Sequence, residues 1–156
     1  MNAMIDSPDP IDRQAAEQAI PALIGQVYEC APPAERGRML EQLLQPLGVL
    51  SLVAIAHGIF AGIRLRSGAR DFHIRLDEVT RVQASDVVAL AQHVQQVSVE
   101  AVDNLAQLLS ASPSLAASAA TALLVAMLVK RRRARQAHTA MQDDEDPAPV
   151  APRDRP

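Results

Sequence analysis

Leu123-Leu124-Val125-Ala126-Met127-Leu128-Val129 runs directly into Lys130-Arg131-Arg132-Arg133-Ala134-Arg135. Apolar residues closed by a dense cationic cluster have the form of a membrane segment stopped at the cytoplasmic face. Cations resist entering hydrocarbon, and anionic lipid holds them. Leu115 to Ala122 carries no charge either and is rich in small residues. Small residues let helices approach closely, but they make a weakly hydrophobic span. Residues 113–135 are therefore a candidate transmembrane helix. Pro113 opens it, and Lys130, Arg131, Arg132, Arg133 and Arg135 form its lipid-facing stop.

A second apolar stretch lies upstream. No formal charge occurs between Gln42 and Ile63. The stretch is apolar all round, so it must be buried in protein or in lipid. Residues 46–63 are the other candidate span, since about 20 apolar residues cross a bilayer. His57 lies inside it as an ionisable group in an apolar segment, a functional candidate if the segment spans. The alternative is a neutral imidazole hydrogen-bonded within the fold. Gly58 and Gly62 have the small-xxx-small spacing of close helix pairs, a pattern common by chance.

If both segments span, the two termini share one side. The termini side then carries seven cations near the spans (Arg36, Arg38, Lys130, Arg131, Arg132, Arg133, Arg135), against four on the other (Arg64, Arg66, Arg70, Arg75). The positive-inside rule thus favours a helical hairpin with both ends cytoplasmic. The first segment alone prefers the opposite orientation, because its downstream flank is the more cationic.

Residues 1–10 are polar with two prolines and read as a disordered N-terminus. Residues 11–45 read as amphipathic helices, with Asp12 as N-cap, a kink or break at Pro21, and a boundary at Ala31-Pro32-Pro33. Residues 64–112 form the region between the apolar segments. Within it, Ile63-Arg64-Leu65-Arg66 and Phe72-His73-Ile74-Arg75-Leu76 alternate around Ser67-Gly68, the pattern of a short β-hairpin. Residues 85–110 carry the clearest helical stripe: Val87, Leu90, Val94, Val97, Ala101, Leu105 and Leu108. Its opposite face is polar, so the stripe is expected to bury against another helix, within the chain or on a partner, and it is the expected interaction surface. Residues 136–156 read as a disordered tail, Pro- and Asp-rich from about Gln142.

The 156 residues are 49% hydrophobic but only 2% aromatic. Such a core is built from Ala, Leu, Val and Ile, which suits thin helix–helix packing. The lack of an aromatic belt counts against a firmly anchored span. Lys130 is the only lysine, and the Arg, Ala and Pro usage points to a bacterial source. The first residues have no basic or apolar signal region. Cys30 is single, so no internal disulfide forms, and it reads as a small buried apolar residue. His57, His73, His93 and His138 have no metal-ligand spacing on one helix face. No phosphate loop or catalytic constellation is present, so no catalytic, cofactor or metal residue is assigned. A negative net charge of −3 and an acidic block at 143–146 argue against nucleic acid as the partner of the arginines.

The expected fold is therefore mainly α: a helical membrane-associated protein with two apolar helices, one amphipathic helix and a short β-hairpin. The expected function is a non-enzymatic interaction or scaffold element of a bacterial inner membrane. Its partners are the lipid bilayer and a second copy or another helical protein. The alternative is a cytoplasmic or peripheral helical interaction or coating protein, in which 47–63 and 115–129 form the core and the basic run is exposed. A His57-dependent cofactor carrier or enzyme is the third.

Overall fold

A computed structural model describes residues 10–67 and 72–143. They fold as helices α1 (Pro10–Cys30), α2 (Pro33–Leu44), α3 (Val49–Leu52), α4 (Ile59–Ser67), α5 (Leu76–Val79), α6 (Ala84–Val97), α7 (Val99–Ala111), α8 (Pro113–Ala116) and α9 (Ala119–Asp143). A 3-10 turn over Ala56–Gly58 precedes α4. No strand occurs among the described residues. Prolines open several of the helices: Pro10, Pro33 and Pro113 each stand in a first turn, where a missing N–H costs no hydrogen bond.

The core lies between α1, α2, α6, α7 and α9. Ile24, Tyr28, Leu40, Leu43, Leu90, Val94, Leu105, Leu109, Leu124 and Leu128 are all buried in it. Small residues set the helix spacing. A Cβ placed on Gly25 would lie 2.5 Å from Val88 Cγ2 and 3.3 Å from the Ala84 carbonyl, so α1 and α6 cross in near contact there. The buried Tyr28 hydroxyl reaches the carbonyls of Val79 and Val82, at 3.2 and 3.4 Å. Moving back along α1 from Tyr28 to Gly25 thus moves forward toward α6, and the two helices run antiparallel. Arg36 stacks over the Tyr28 ring at 5.3 Å and donates to the carbonyls of Ala31 and Glu29. It thereby closes the C-terminal end of α1, whose last carbonyls have no helical partner.

Neither candidate span is one apolar helix, and no described helix is long and apolar enough to cross a membrane. Residues 46–63 divide into α3, the 3-10 turn and the start of α4. Turning the chain lets Leu47, Leu52, Ile55, Phe60 and Ile63 all point inward while Leu50 and Val53 stay exposed. Residues 113–135 divide into α8 and the first part of α9. There only Leu115, Thr121, Leu124 and Leu128 are buried, and charged residues complete the helix.

The expected hairpin is replaced by helix. Ile63 to Ser67 belong to α4, residues 72–75 are irregular, and α5 follows. The turn residues 68–71 lie outside the described residues. The alternation of Ile63-Arg64-Leu65-Arg66 also fits a helix with one inward position: Ile63 is buried, while Leu65 is exposed. Glu41 holds the irregular segment, accepting the Ile74 N–H at 3.0 Å. Residues 85–110 form two helices. Ser98 is extended (φ −150°, ψ 98°), ends α6 and caps α7 by accepting the Ala101 N–H at 3.3 Å. Pro21 does not break α1; it is buried within a continuous helix. Cys30 is exposed rather than buried, at the last position of α1. Residues 1–9 and 144–156 lie outside the described residues. α9 continues through 136–143, where composition predicts a tail.

Candidate interaction face on helix α9

α7 and α9 pack antiparallel, and a charge cluster fixes their register. Asp103 on α7 is 2% exposed. Arg131 donates to its Oδ1 through Nε and Nη2, at 2.8 and 2.5 Å. Arg135 donates to Oδ2 of the same carboxylate through Nη2, and through Nη1 to Glu100 Oε1 at 2.9 Å. One buried carboxylate thus accepts from two guanidinium groups. That satisfies the oxygens and offsets the cost of removing a charge from water. The Glu100 carboxyl is held below its ordinary range by its own backbone hydrogen bond and by Arg135.

This cluster divides the cationic run. Arg131 and Arg135 face α7 and are neutralised. Lys130 and Arg133 are exposed and Arg132 is half-buried, and none of the three has a carboxylate partner among the described residues. Spacings of three and four put Lys130 and Arg133 on the same outer stripe as Ala119, Ala122, Leu123, Ala126 and Ala137, all exposed. Leu123 is 53% exposed. From Ala119 to Gln142 the helix contains no Asp or Glu. The outer face of α9 is thus apolar in its first half, cationic in its middle, and free of acid along that length.

No known protein family matches this chain, nor does any curated protein or solved structure.

The stripe expected to meet a partner packs inside the chain instead. Val87, Leu90, Val94, Ala101 and Leu105 are buried and Leu108 is half-buried; Val97, at the end of α6, is 55% exposed. Its period was legible. What covers it was not, because α1, α2 and α9 come from distant parts of the chain. The reach of Arg131 and Arg135 to Asp103 is likewise a long-range pairing. Its local signal is an acid placed beside the stripe of α7, one position from Val102, and that residue turns out to be buried.

His57 is not within an apolar helix. It is exposed, at the rim of a cleft, in the left-handed backbone region with its neighbours (Ala56 φ 47°, His57 φ 57°, Gly58 φ 77°). Side chains rarely adopt this conformation, and two non-glycine residues held there store strain of order 1 kcal/mol each. His93 is half-buried on α6. Among the described residues, no three His, Cys, Asp or Glu side chains are grouped to hold a metal ion.

Proposed function

We propose that this chain is a non-enzymatic interaction element that lays the outer face of α9 on an anionic membrane surface. The observation that carries this reading is the division of the basic run. Two arginines are consumed by Asp103 and Glu100, while Lys130 and Arg133 on the outer face have no carboxylate partner among the described residues, on a helix without acid from Ala119 to Gln142. The exposed Ala122, Leu123 and Ala126 lie about one to two turns away and offer shallow apolar contact beside the headgroup-binding cations. The cytoplasmic leaflet of a bacterial inner membrane supplies the matching negative surface.

Each cation near an anionic leaflet contributes about 1 kcal/mol, so the two together are worth about thirtyfold in affinity. The test is co-sedimentation with phosphatidylglycerol vesicles beside phosphatidylcholine vesicles. Binding to the anionic vesicles is expected. It should weaken as salt rises and fall about thirtyfold in Lys130→Asn/Arg133→Asn. Equal binding to both vesicles, or to neither, rejects the reading. The clamp residues Arg131 and Arg135 are left intact, so the fold is preserved during the test.

A further inference from the structure

A cleft of about 690 Å³ opens between the 56–66 segment and the 78–86 segment, on elements other than α9. Its size is within the range of small-molecule sites, roughly 300–1,000 Å³. Its hydrogen-bonding capacity is lopsided. Two carboxylates line it, and three of their four oxygens already accept a hydrogen bond. Glu78 is 5% exposed; its Oε1 accepts from Arg66 Nε at 2.9 Å and its Oε2 from the Arg75 N–H at 3.2 Å. Asp86 Oδ2 accepts the Gln83 N–H at 2.9 Å. The donors are in surplus. Among the described residues, neither Nη group of Arg66 has a protein partner, and Arg81 is exposed with no carboxylate partner. Ser85 and His57 add a hydroxyl and an imidazole at the rim.

A glycine lines the cleft beside open space. A Cβ built on Gly62 would meet nothing within 4 Å. Alanine would be better tolerated in a helix than glycine by ordinary propensity, so glycine here leaves volume unfilled at some cost. The left-handed run Ala56-His57-Gly58 lines the cleft on the same segment as Gly62. We infer that this cleft is a binding site for a small oxyanion, a phosphate or a carboxylate, held by the guanidinium groups of Arg81 and Arg66 with Ser85 beside them. Fork-shaped guanidinium donors match both kinds of oxyanion.

The experiment is an amide NMR titration of the full chain with inorganic phosphate and, separately, with acetate, each at constant ionic strength set by chloride. Saturable shifts confined to 56–66 and 81–86 are expected. Saturation by phosphate alone assigns a phosphoryl ligand, by acetate alone a carboxylate ligand, and by both a general oxyanion site; each supports the inference. Arg81→Gln should weaken binding by about tenfold or more, the loss of charge-assisted hydrogen bonds. Gly62→Leu, which fills the open volume, should abolish it. Arg38→Gln, on exposed α2 surface, should leave it unchanged. Non-saturating shifts with both anions, or saturation that persists in Arg81→Gln and Gly62→Leu, overturns the proposal. The spectrum of each variant outside the cleft reports directly that it is folded.

Discussion

Arg131 reaches from α9 to the buried carboxylate of Asp103 on α7, donating through both Nε and Nη2 at 2.8 and 2.5 Å. Asp103 receives Arg135 as well, and with Glu100 at the surface it holds the cationic half of α9 against the bundle. The same contact decides which cations remain on the outside.

Asp103→Asn should therefore be severe. It removes the carboxylate that pairs, among the described residues, with a guanidinium whose side chain is 14% exposed. Breaking one partner of a buried pair costs about 3–5 kcal/mol, because the other charge is left uncompensated. Urea unfolding of the variant beside the parent measures this. A loss below ~1 kcal/mol would mean that water already screens the pair. Glu100→Gln, at a solvated site, should change stability little by comparison.

Two glycines should respond with opposite signs. Gly25→Ala places a methyl 2.5 Å from Val88 Cγ2, against a stiff β-branched side chain and the Ala84 carbonyl behind it. Overpacking of this kind costs about 1–3 kcal/mol, more than the ~1 kcal/mol that alanine gains over glycine in a helix. Gly62→Ala meets no atom and should stabilise by up to ~1 kcal/mol. Thermal midpoints of the two variants check both signs together.

Thr121→Val should be neutral or stabilising. The Thr121 side chain is buried in α9 and its Oγ1 has no hydrogen-bond partner. An unsatisfied buried hydroxyl costs about 1–3 kcal/mol, and valine has the same shape without it. Denaturant midpoints that fall in the variant would show that the hydroxyl is bonded after all.

Tyr28 makes stability depend on alkaline pH. Burial pushes its phenol from 10.0 up to about 12, against the lowering pull of Arg36. The folded state thus holds this proton more tightly than the unfolded state does. The sign follows: the contribution is fully present below pH 10, and it is lost as pH rises from 10 toward 12. Tyr28 is the only tyrosine, so tyrosinate absorbance follows this group alone. Denaturant midpoints should fall over that window in the parent, and Tyr28→Phe should remove this part of the fall.

Local pattern carried the helical class and most helix positions. The spacing of Leu90, Val94, Leu105 and their neighbours, and the boundary at Pro32-Pro33, all appear in the fold. The apolar stretches misled because an uncharged run does not say how it is buried. Residues 46–63 bury alternate parts by turning at Ala56-His57-Gly58, a left-handed turn with glycine at only one of its positions. Residues 63–66 alternate in a way that serves either a strand or a helix with one inward position. The division of the basic run was beyond any local reading. Arg131 and Arg135 find their partner 28 and 32 positions away, and only the packing of α7 on α9 selects them from their neighbours.

The outer face of α9 can be read directly with a nitroxide placed at Ala126, in a Cys30→Ser background so that it is the only label. Ala126 is exposed on that face, and Gln92, exposed on α6, serves as the control position. On adding phosphatidylglycerol vesicles, the label at 126 should become shielded from a water-soluble relaxing agent and gain contact with oxygen dissolved in the lipid. The label at 92 should remain as accessible as before. Unchanged accessibility at 126, or equal shielding at both positions, would contradict docking through this face.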